Sequence, residues 1–348
     1  MSNRLAVTAI VVNYRTPKLV QQSVDSLFSG NHSGYDISVV LVDGYSNDGS
    51  HGELSKFCSS HPSKAVTFLP LKENGGFGWA NNQALLSIMG SDKQPDFFYI
   101  LNPDTDLAPG ALANLMTLMM DKPRCAVVGS QLLDQDGNAE VSAFRFPSIL
   151  SEFVRGTKTA LLGTFLGIGD GLITSDSPVE CDWVSGASFL VRSSALSESG
   201  LFDDGFFLYF EEVELMWRIR AKGWTIWHEP ASRVLHLGGA STGLTSRRAQ
   251  SPKMPQRPAY WYKSRQRFFA LTLGPKRAKL AALAWLAGTL IWKVRLVLGL
   301  GRSHQEIARE IPDHIRYGLL ASSAHITPSI PSSQTQIGAR PGWKIDGR

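Results

Sequence analysis

The chain has 348 residues, 43% of them hydrophobic and 10% aromatic, which supplies a real core and excludes a disordered polypeptide. Length alone predicts two domains, or one with a sizeable extension. The net charge of +5 and pI of about 9.1 suit an anionic ligand or a membrane surface without specifying either.

Residues 6–12 read as a buried strand, and residues 17–28 as a helix with Leu19, Val20, Val24 and Leu27 on one face. The opening MSNRLAVTAIVVNY has no basic segment followed by a long apolar run and a cleavage site, so no secretory signal is expected. Residues 37–42 form a second strand, ending on Asp43; a polar turn over 44–50 and a helix near 53–58 follow. Residues 66–69 form a third strand, 79–89 a helix entered through a Gly-containing turn, and 97–101 a fourth strand. Strand, helix, strand in this rhythm predicts crossover units and a mostly parallel α/β sheet flanked by helices. In such sheets ligands bind beyond the carboxyl ends of the strands. Those ends carry Asn13, Asp43 and Asp104, which are therefore expected to share one site.

Further along, 108–120 reads as a helix and 126–129 as a strand. Residues 148–178 show no clean period and are expected to form a mobile or substrate-facing loop. Regular patterns return over 183–191 and 206–221. Between Arg247 and Arg302 the chain carries many Lys and Arg but no Asp or Glu. Within that stretch, 280–292 is a run of about thirteen apolar or small residues, below the roughly 20 that span a bilayer. Lys276, Arg277, Lys279, Lys293 and Arg295 flank it, so a helix lying in a membrane interface is expected, with an ordinary packed helix as the alternative. The tail from Ser322, rich in Ser, Pro and Gln, is expected to be disordered. The resulting division is a catalytic domain over 1–245 (nucleotide-binding half 1–130, acceptor half 131–245), a helical extension over 246–320 and a tail over 321–348. Cys58, Cys125 and Cys181 have no metal or redox spacing and are read as free thiols in a reducing, cytoplasmic compartment.

Two acidic clusters carry the chemistry. LNPDTD (101–106) delivers Asp104 and Asp106 at the end of an apolar strand, where Pro103 stops the strand from running on. Hard divalent cations take oxygen ligands and bridge to substrate phosphates, which favours a metal at Asp104. For Asp106 the metal and a helix cap are equal readings. FFLYFEEVEL (206–215) places Glu211, Glu212 and Glu214 after a largely aromatic run. Such a run raises a carboxylate pKa toward that of a general base, while the competing reading is a helix N-terminus enriched in Glu. His236 ends another apolar run with Gly238 and Gly239 behind it.

These residues resemble the family 2 inverting glycosyltransferases of GT-A fold, especially the rhamnosyltransferase-like branch, over about residues 7–269. The motifs VVNY (11–14), LVDGYSNDGS (41–50), NGGFGWANN (74–82), LNPDTD (101–106), WVSGASFLVR (183–192), FFLYFEEVEL (206–215) and VLHLGG (234–239) stand in the family's order. The resemblance implies a GT-A-type, Rossmann-like fold and transfer of a sugar from a nucleotide-diphosphate donor to a glycan or polyprenyl-diphosphate-linked acceptor in cell-surface polysaccharide synthesis. It implies nucleotide-sugar contacts from Asn13, Tyr14, Arg15, Asp43, Asn74, Gly76, Phe77, Asn82, Asn102 and Asp104. Mg2+ or Mn2+ would sit on Asp104, with Asp106 and His236 as further ligands. Glu212 would be the base beside Glu211, with Trp183 and Gly186 on the acceptor side. Gly44 and Arg15 depart from the residues usual after the first acid and after Asn-Tyr, which leaves the donor sugar open.

Two competing classes fit less well. A nucleotidyltransferase announces a Gly-rich, basic loop after the first strand, where this chain reads NYRTPKL. A non-catalytic sugar- or nucleic-acid-binding protein would use the basic C-terminal stretch, but two acidic clusters repel nucleic acid, so no nucleic-acid partner is expected.

Overall fold

The computed structural model describes residues 4–345 except 31, 33, 64, 91–93, 160–161, 164–166, 168–170, 239–253, 301–303, 305, 324 and 333. Gly239, Arg247, Arg248, Lys253 and Arg302 therefore lie outside the described residues.

The four apolar runs nearest the N-terminus become β1 (Leu5–Asn13), β2 (Tyr35–Asp43), β3 (Val66–Pro70) and β4 (Phe97–Leu101), linked by α1 (Pro17–Phe28), α2 (Ser50–Ser60) and α3 (Phe77–Met89). They pair in parallel. Helices cover both faces of this half-sheet, so β1 and β4 are apolar along most of their length instead of alternating. The chain continues through β5 (Thr105–Leu107), α4 (Ala111–Asp121), β6 (Cys125–Leu133), β7 (Ala143–Phe144), α5 (Ile149–Thr157), β8 (Leu172–Ile173), β9 (Val179–Cys181), β10 (Trp183–Val184) and β11 (Ser188–Arg192). Then come α6 (Ser193–Ser199), α7 (Glu211–Ala221), β12 (Thr225–His236), α8 (Ala259–Leu273), α9 (Pro275–Val297), α10 (Glu310–His314), a π-helical turn (Ile315–Leu320) and α11 (Gly342–Ile345).

The main sheet runs β3-β2-β1-β4-β11-β6-β12-β5, with β9 also on β12; β10, β7 and β8 form a small second sheet. Antiparallel β11 between β4 and β6 closes the parallel half. Apolar layers fill both faces of the main sheet. A third cluster, including Phe206, Val213, Phe268, Phe269, Ala278 and Ala281, joins α7 to α8 and α9.

Four expectations need correcting. Residues 105–107 form an edge strand antiparallel to the end of β12, and α4 starts from Gly110 with no side-chain cap, so neither Asp104 nor Asp106 caps it. Within 148–178, α5 is a regular helix. Ser148 and Ser151 satisfy each other's backbone N–H groups in a reciprocal capping box, and Glu152 is tied to buried Arg265 at 2.5 Å. Burial opposes ionisation of Glu152, yet Arg155 and Arg265 hold its carboxyl below the ordinary range. The apolar run at 280–292 belongs to a helix of 23 residues, long and apolar enough by length and composition to cross a membrane. The described part of the tail does not hang free: Ser329 accepts from Asp204 N at 2.8 Å, and the Trp343 indole donates to Gly75 O at 2.8 Å.

Candidate active site

β1 and β2 end in register, Asn13 opposite Asp43. Both are buried. The Asn13 amide donates to Asp43 Oδ1 (2.8 Å) and to Ser46 Oγ (3.0 Å), and the Ser46 hydroxyl donates to Asp43 Oδ1 (2.5 Å). Arg15, in the left-handed region at φ 61°, gives its backbone N–H to Ser46 Oγ (2.9 Å) and its Nε–H to Ser46 O (3.0 Å). Arg15 is thus engaged in bracing the turn after β2, and its guanidinium lies over the Tyr14 ring.

Residues 74–77 form the second wall. Gly76 sits at φ +93°, and a Cβ there would collide with the Phe207 carbonyl, so only glycine lets this loop dock on the segment ahead of α7. Phe77 N then donates to Phe207 O at 3.2 Å, and Gly76 N to Asn74 Oδ1 at 3.0 Å. Asn82 works one layer back. Its amide donates to Phe202 O (2.8 Å) and Asp204 Oδ1 (2.6 Å), and its oxygen accepts from Phe202 N (3.0 Å). It fixes the scaffold of the site from the interior.

Between these walls lies a cavity of about 510 Å³, within the range of small-ligand sites. Tyr14, Gly44, Asn74, Gly76 and Phe77 line one side, Asn102, Asp104 and His236 another. Phe207, Leu208, Tyr209 and Tyr260 also line it. Tyr260 was missed in the sequence; its only local signal is the aromatic Tyr260-Trp-Tyr262 run opening α8.

His236, the last residue of β12, brings Nε2 to 3.4 Å from Asp104 Oδ1. Asn102 Nδ2 lies 3.3 Å from the same nitrogen, and Leu237 N donates to Asp104 O at 3.1 Å. Asp106 is exposed and stands opposite Leu235 in the edge pairing, outside this group. Among the described residues no three or more His, Cys, Asp or Glu side chains form a ready-made metal cluster.

Tyr209 and Phe210, both left-handed at φ 70° and 69°, make the tight turn that launches α7. Glu214 pairs with Arg218 one turn on, at 2.8 Å. Glu211 is buried against Gly78, whereas Glu212 turns toward Gly186, where an added Cβ would sit 3.6 Å from Oε1. Each of the two has a buried Oε2 with no hydrogen-bond partner among the described residues. Burial, with the Glu212 charge beside it, holds Glu211 well above the ordinary carboxylate range; burial pushes Glu212 up to about 7. Trp183 stacks on Phe144 with centroids 4.1 Å apart and lines a separate cavity of about 640 Å³. The structure therefore gathers Tyr14, Asn74, Gly76, Phe77, Asn102, Asp104 and His236 around one cavity, while Asn13, Arg15, Asp43, Asn82, Glu211, Glu212, Gly186 and Trp183 stand outside its lining.

The family model for glycosyl transferase family 2 matches residues 8–175. A Mycobacterium tuberculosis protein, N-acetylglucosaminyl-diphospho-decaprenol L-rhamnosyltransferase, is 32% identical over 221 residues, spanning 60% of this chain and 68% of that protein. The chain belongs to glycosyltransferase family 2. It is a hexosyl-transferring enzyme with a GT-A fold. Escherichia coli rhamnosyltransferase WbbL is 29% identical to this glycosyltransferase over 168 residues, spanning 46% of the chain and 60% of WbbL. The mannosyltransferase PcManGT of Pyrobaculum calidifontis, solved with GDP-Man and Mn2+, shares the fold at a TM-score of 0.52 and 17% identity, over 85% of this chain and 76% of that one. GalNAc-T7, solved with UDP, GalNAc and Mn2+, superposes at 0.52 and 16% identity, over 94% of this chain but only 59% of its own.

Proposed function

We propose that this family 2 glycosyltransferase transfers rhamnose, with inversion, from a nucleotide-diphosphate donor to a lipid-linked glycan at the cytoplasmic face of a membrane. The observation that carries the reading is the cavity gathering Tyr14, Asn74, Gly76, Phe77, Asn102, Asp104 and His236, next in sequence to the buried Asn13–Asp43 pair. The rhamnosyltransferases among its relatives support the sugar, and the decaprenol-linked substrate in one relative's name supports the acceptor class.

Glu212 accepts the proton of an acceptor hydroxyl. The freed oxygen attacks the anomeric carbon as the bond to the diphosphate breaks, and the nucleotide leaves with the bonding pair. Gly186, which faces Glu212, borders the acceptor's approach, whereas Trp183 lines a different cavity. Asp104 and His236 fit a Mg2+ or Mn2+ ion, because such ions are held by one or two protein ligands together with substrate phosphate oxygens. Once bound, the ion neutralises charge on the departing diphosphate. Asp106, exposed on the edge strand, is a ligand only if the edge rearranges. A thermal-shift panel tests the donor: dTDP-rhamnose with Mn2+ or Mg2+ is expected to stabilise the protein more than UDP-sugars do. Equal or greater stabilisation by UDP-hexoses would overturn the choice of sugar.

Membrane contact is read from α9. Its inner face (Ala278, Ala281, Ala282, Trp285, Gly288, Thr289, Trp292) is buried, while its outer face exposes Leu280, Leu283, Leu290, Ile291, Val294 and Val297, the last at 87%. A helix apolar on both faces needs a cover on its outer side, and Lys276, Arg277 and Lys279 stand where anionic headgroups would meet them. Leu290→Glu with Val294→Glu is expected to cut partition onto anionic vesicles by about tenfold or more, since two large apolar side chains lose their burial. Undiminished partition in a flotation assay would sink this part of the reading.

A further inference from the structure

A second cavity, of about 480 Å³, opens beside the donor cavity and shares Phe207 and Tyr260 with it. One wall is a face of α8; the other is built by Tyr317 and the returning C-terminal segment with Trp343. Trp343 meets Phe207 edge-on at 5.0 Å between centroids, and Phe207 meets Tyr260 at 5.3 Å, so the aromatic rings form one continuous lining.

Two residues of this lining carry polar atoms that are enclosed just behind it and have no partner among the described residues. Gln266 is only 3% exposed, and neither its amide nitrogen nor its oxygen has a hydrogen-bond partner among the described residues. Arg267, 6% exposed, commits its terminal nitrogen to Asp203 (2.7 Å) and Thr327 O (2.7 Å), while its Nε–H is likewise unpartnered. Buried polar groups are almost always satisfied; the Gln266 carboxamide lies just beneath the lining to which its side chain contributes, and a turn of that side chain would bring it to a ligand's polar atoms. A prenyl chain would leave the carboxamide unpaired at a cost. A pyranose matches both features: its C–H face packs on aromatic rings, and its hydroxyls both donate to and accept from a carboxamide.

We infer that this cavity is a pyranose subsite for the acceptor glycan, holding a sugar at a remove from the reacting hydroxyl. The inference rests on the glycosyltransferase reading. Binding energy gathered there would serve acceptor recognition and positioning.

The test is saturation-transfer NMR on the full chain with three methyl pyranosides (a hexoside, a 6-deoxyhexoside and a 2-acetamidohexoside) and with geraniol as the prenyl probe. At least one glycoside is expected to bind. Gln266→Leu is expected to weaken it at least tenfold while dTDP binding stays unchanged and Tm is kept or raised, because an unpaired buried amide has been removed. A merely structural glutamine would lower Tm instead. Ser322→Trp, at the exposed mouth of the cavity, is expected to abolish glycoside binding without touching the interior. No glycoside binding to the wild-type protein, binding untouched by both variants, or binding of geraniol alone would each overturn the assignment. Loss of nucleotide binding beside intact, Gln266-dependent glycoside binding would strike the donor reading and leave the subsite standing.

Discussion

Glu212→Gln is expected to lower sugar-transfer turnover by about 10²- to 10⁴-fold, the usual contribution of a positioned general base, with donor affinity unchanged. The exchange keeps the side chain's shape and removes only its ability to take a proton. Because one Glu212 oxygen has no hydrogen-bond partner among the described residues, a carboxamide breaks no bond at that atom. Two pH signatures separate this from a folding defect. Burial puts the Glu212 pKa at about 7, so kcat/KM should fall about tenfold per pH unit below that value, as the base becomes protonated in the free enzyme. The stability effect has the opposite sense. A pKa raised above the ordinary 4.5 means that the contribution is full below 4.5 and lost as pH rises through about 7. Glu212→Gln should therefore raise Tm relative to wild type at pH 8 and leave it level at pH 4. Glu211, deeper and facing Gly78, is expected to show the stability effect without the kinetic limb. If Glu211→Gln abolishes turnover and Glu212→Gln spares it, the two roles are exchanged.

What the sequence made legible was the part governed by short-range pattern. Strands covered on both faces appear as unbroken apolar runs, so β1, β2 and β4 could be read directly, and the polar residue closing each run marks the carboxyl edge where Asn13, Asp43 and Asp104 converge. Asn82 and Arg15 show the limit of this reading. Both lie in motifs that point to the donor, but their side chains are engaged by Phe202, Asp204 and Ser46, partners that only the folded chain reveals. The helix at 149–157 carried a readable signal in Ser148 and Ser151, which was outweighed by the Gly- and Ser-rich residues after it. The apolar run in the sequence stops at Lys293 and Arg295, but α9 continues through both to Val297. Both sit within the last turns of the helix, where cations suit its dipole.

The tail is the largest departure from the sequence reading, and removing it carries the second large effect. Deleting residues 322–348 is expected to raise the donor Kd by about tenfold or more, at least about 1.4 kcal/mol, and to lower Tm. The segment is fastened on both sides of the loop that walls the donor cavity. The Trp343 indole donates to Gly75 O (2.8 Å) and its backbone N–H to Asp204 O (3.2 Å), while Lys344 pairs with Glu73. Gly338 N donates to Gln83 Oε1 (2.5 Å), and Ala339 O accepts from the Trp79 indole (2.9 Å). Trp79 is 1% exposed with the tail in place, so deletion uncovers its indole and gives up this hydrogen bond, a net contribution of about 0.5–1.5 kcal/mol. Released from Trp343, residues 73–77 lose their outer clamp, and the donor must then order them as it binds, an entropy cost that reappears as weaker affinity. Trp343→Ala isolates the clamp from the fold: it keeps the Trp79 and Gln83 bonds and removes the contacts to Gly75 and Phe207. It should weaken donor binding, read by calorimetry with dTDP and Mn2+, more than it lowers Tm. If both variants bind the nucleotide as tightly as wild type, the tail is a covering for the domain and no part of its donor site.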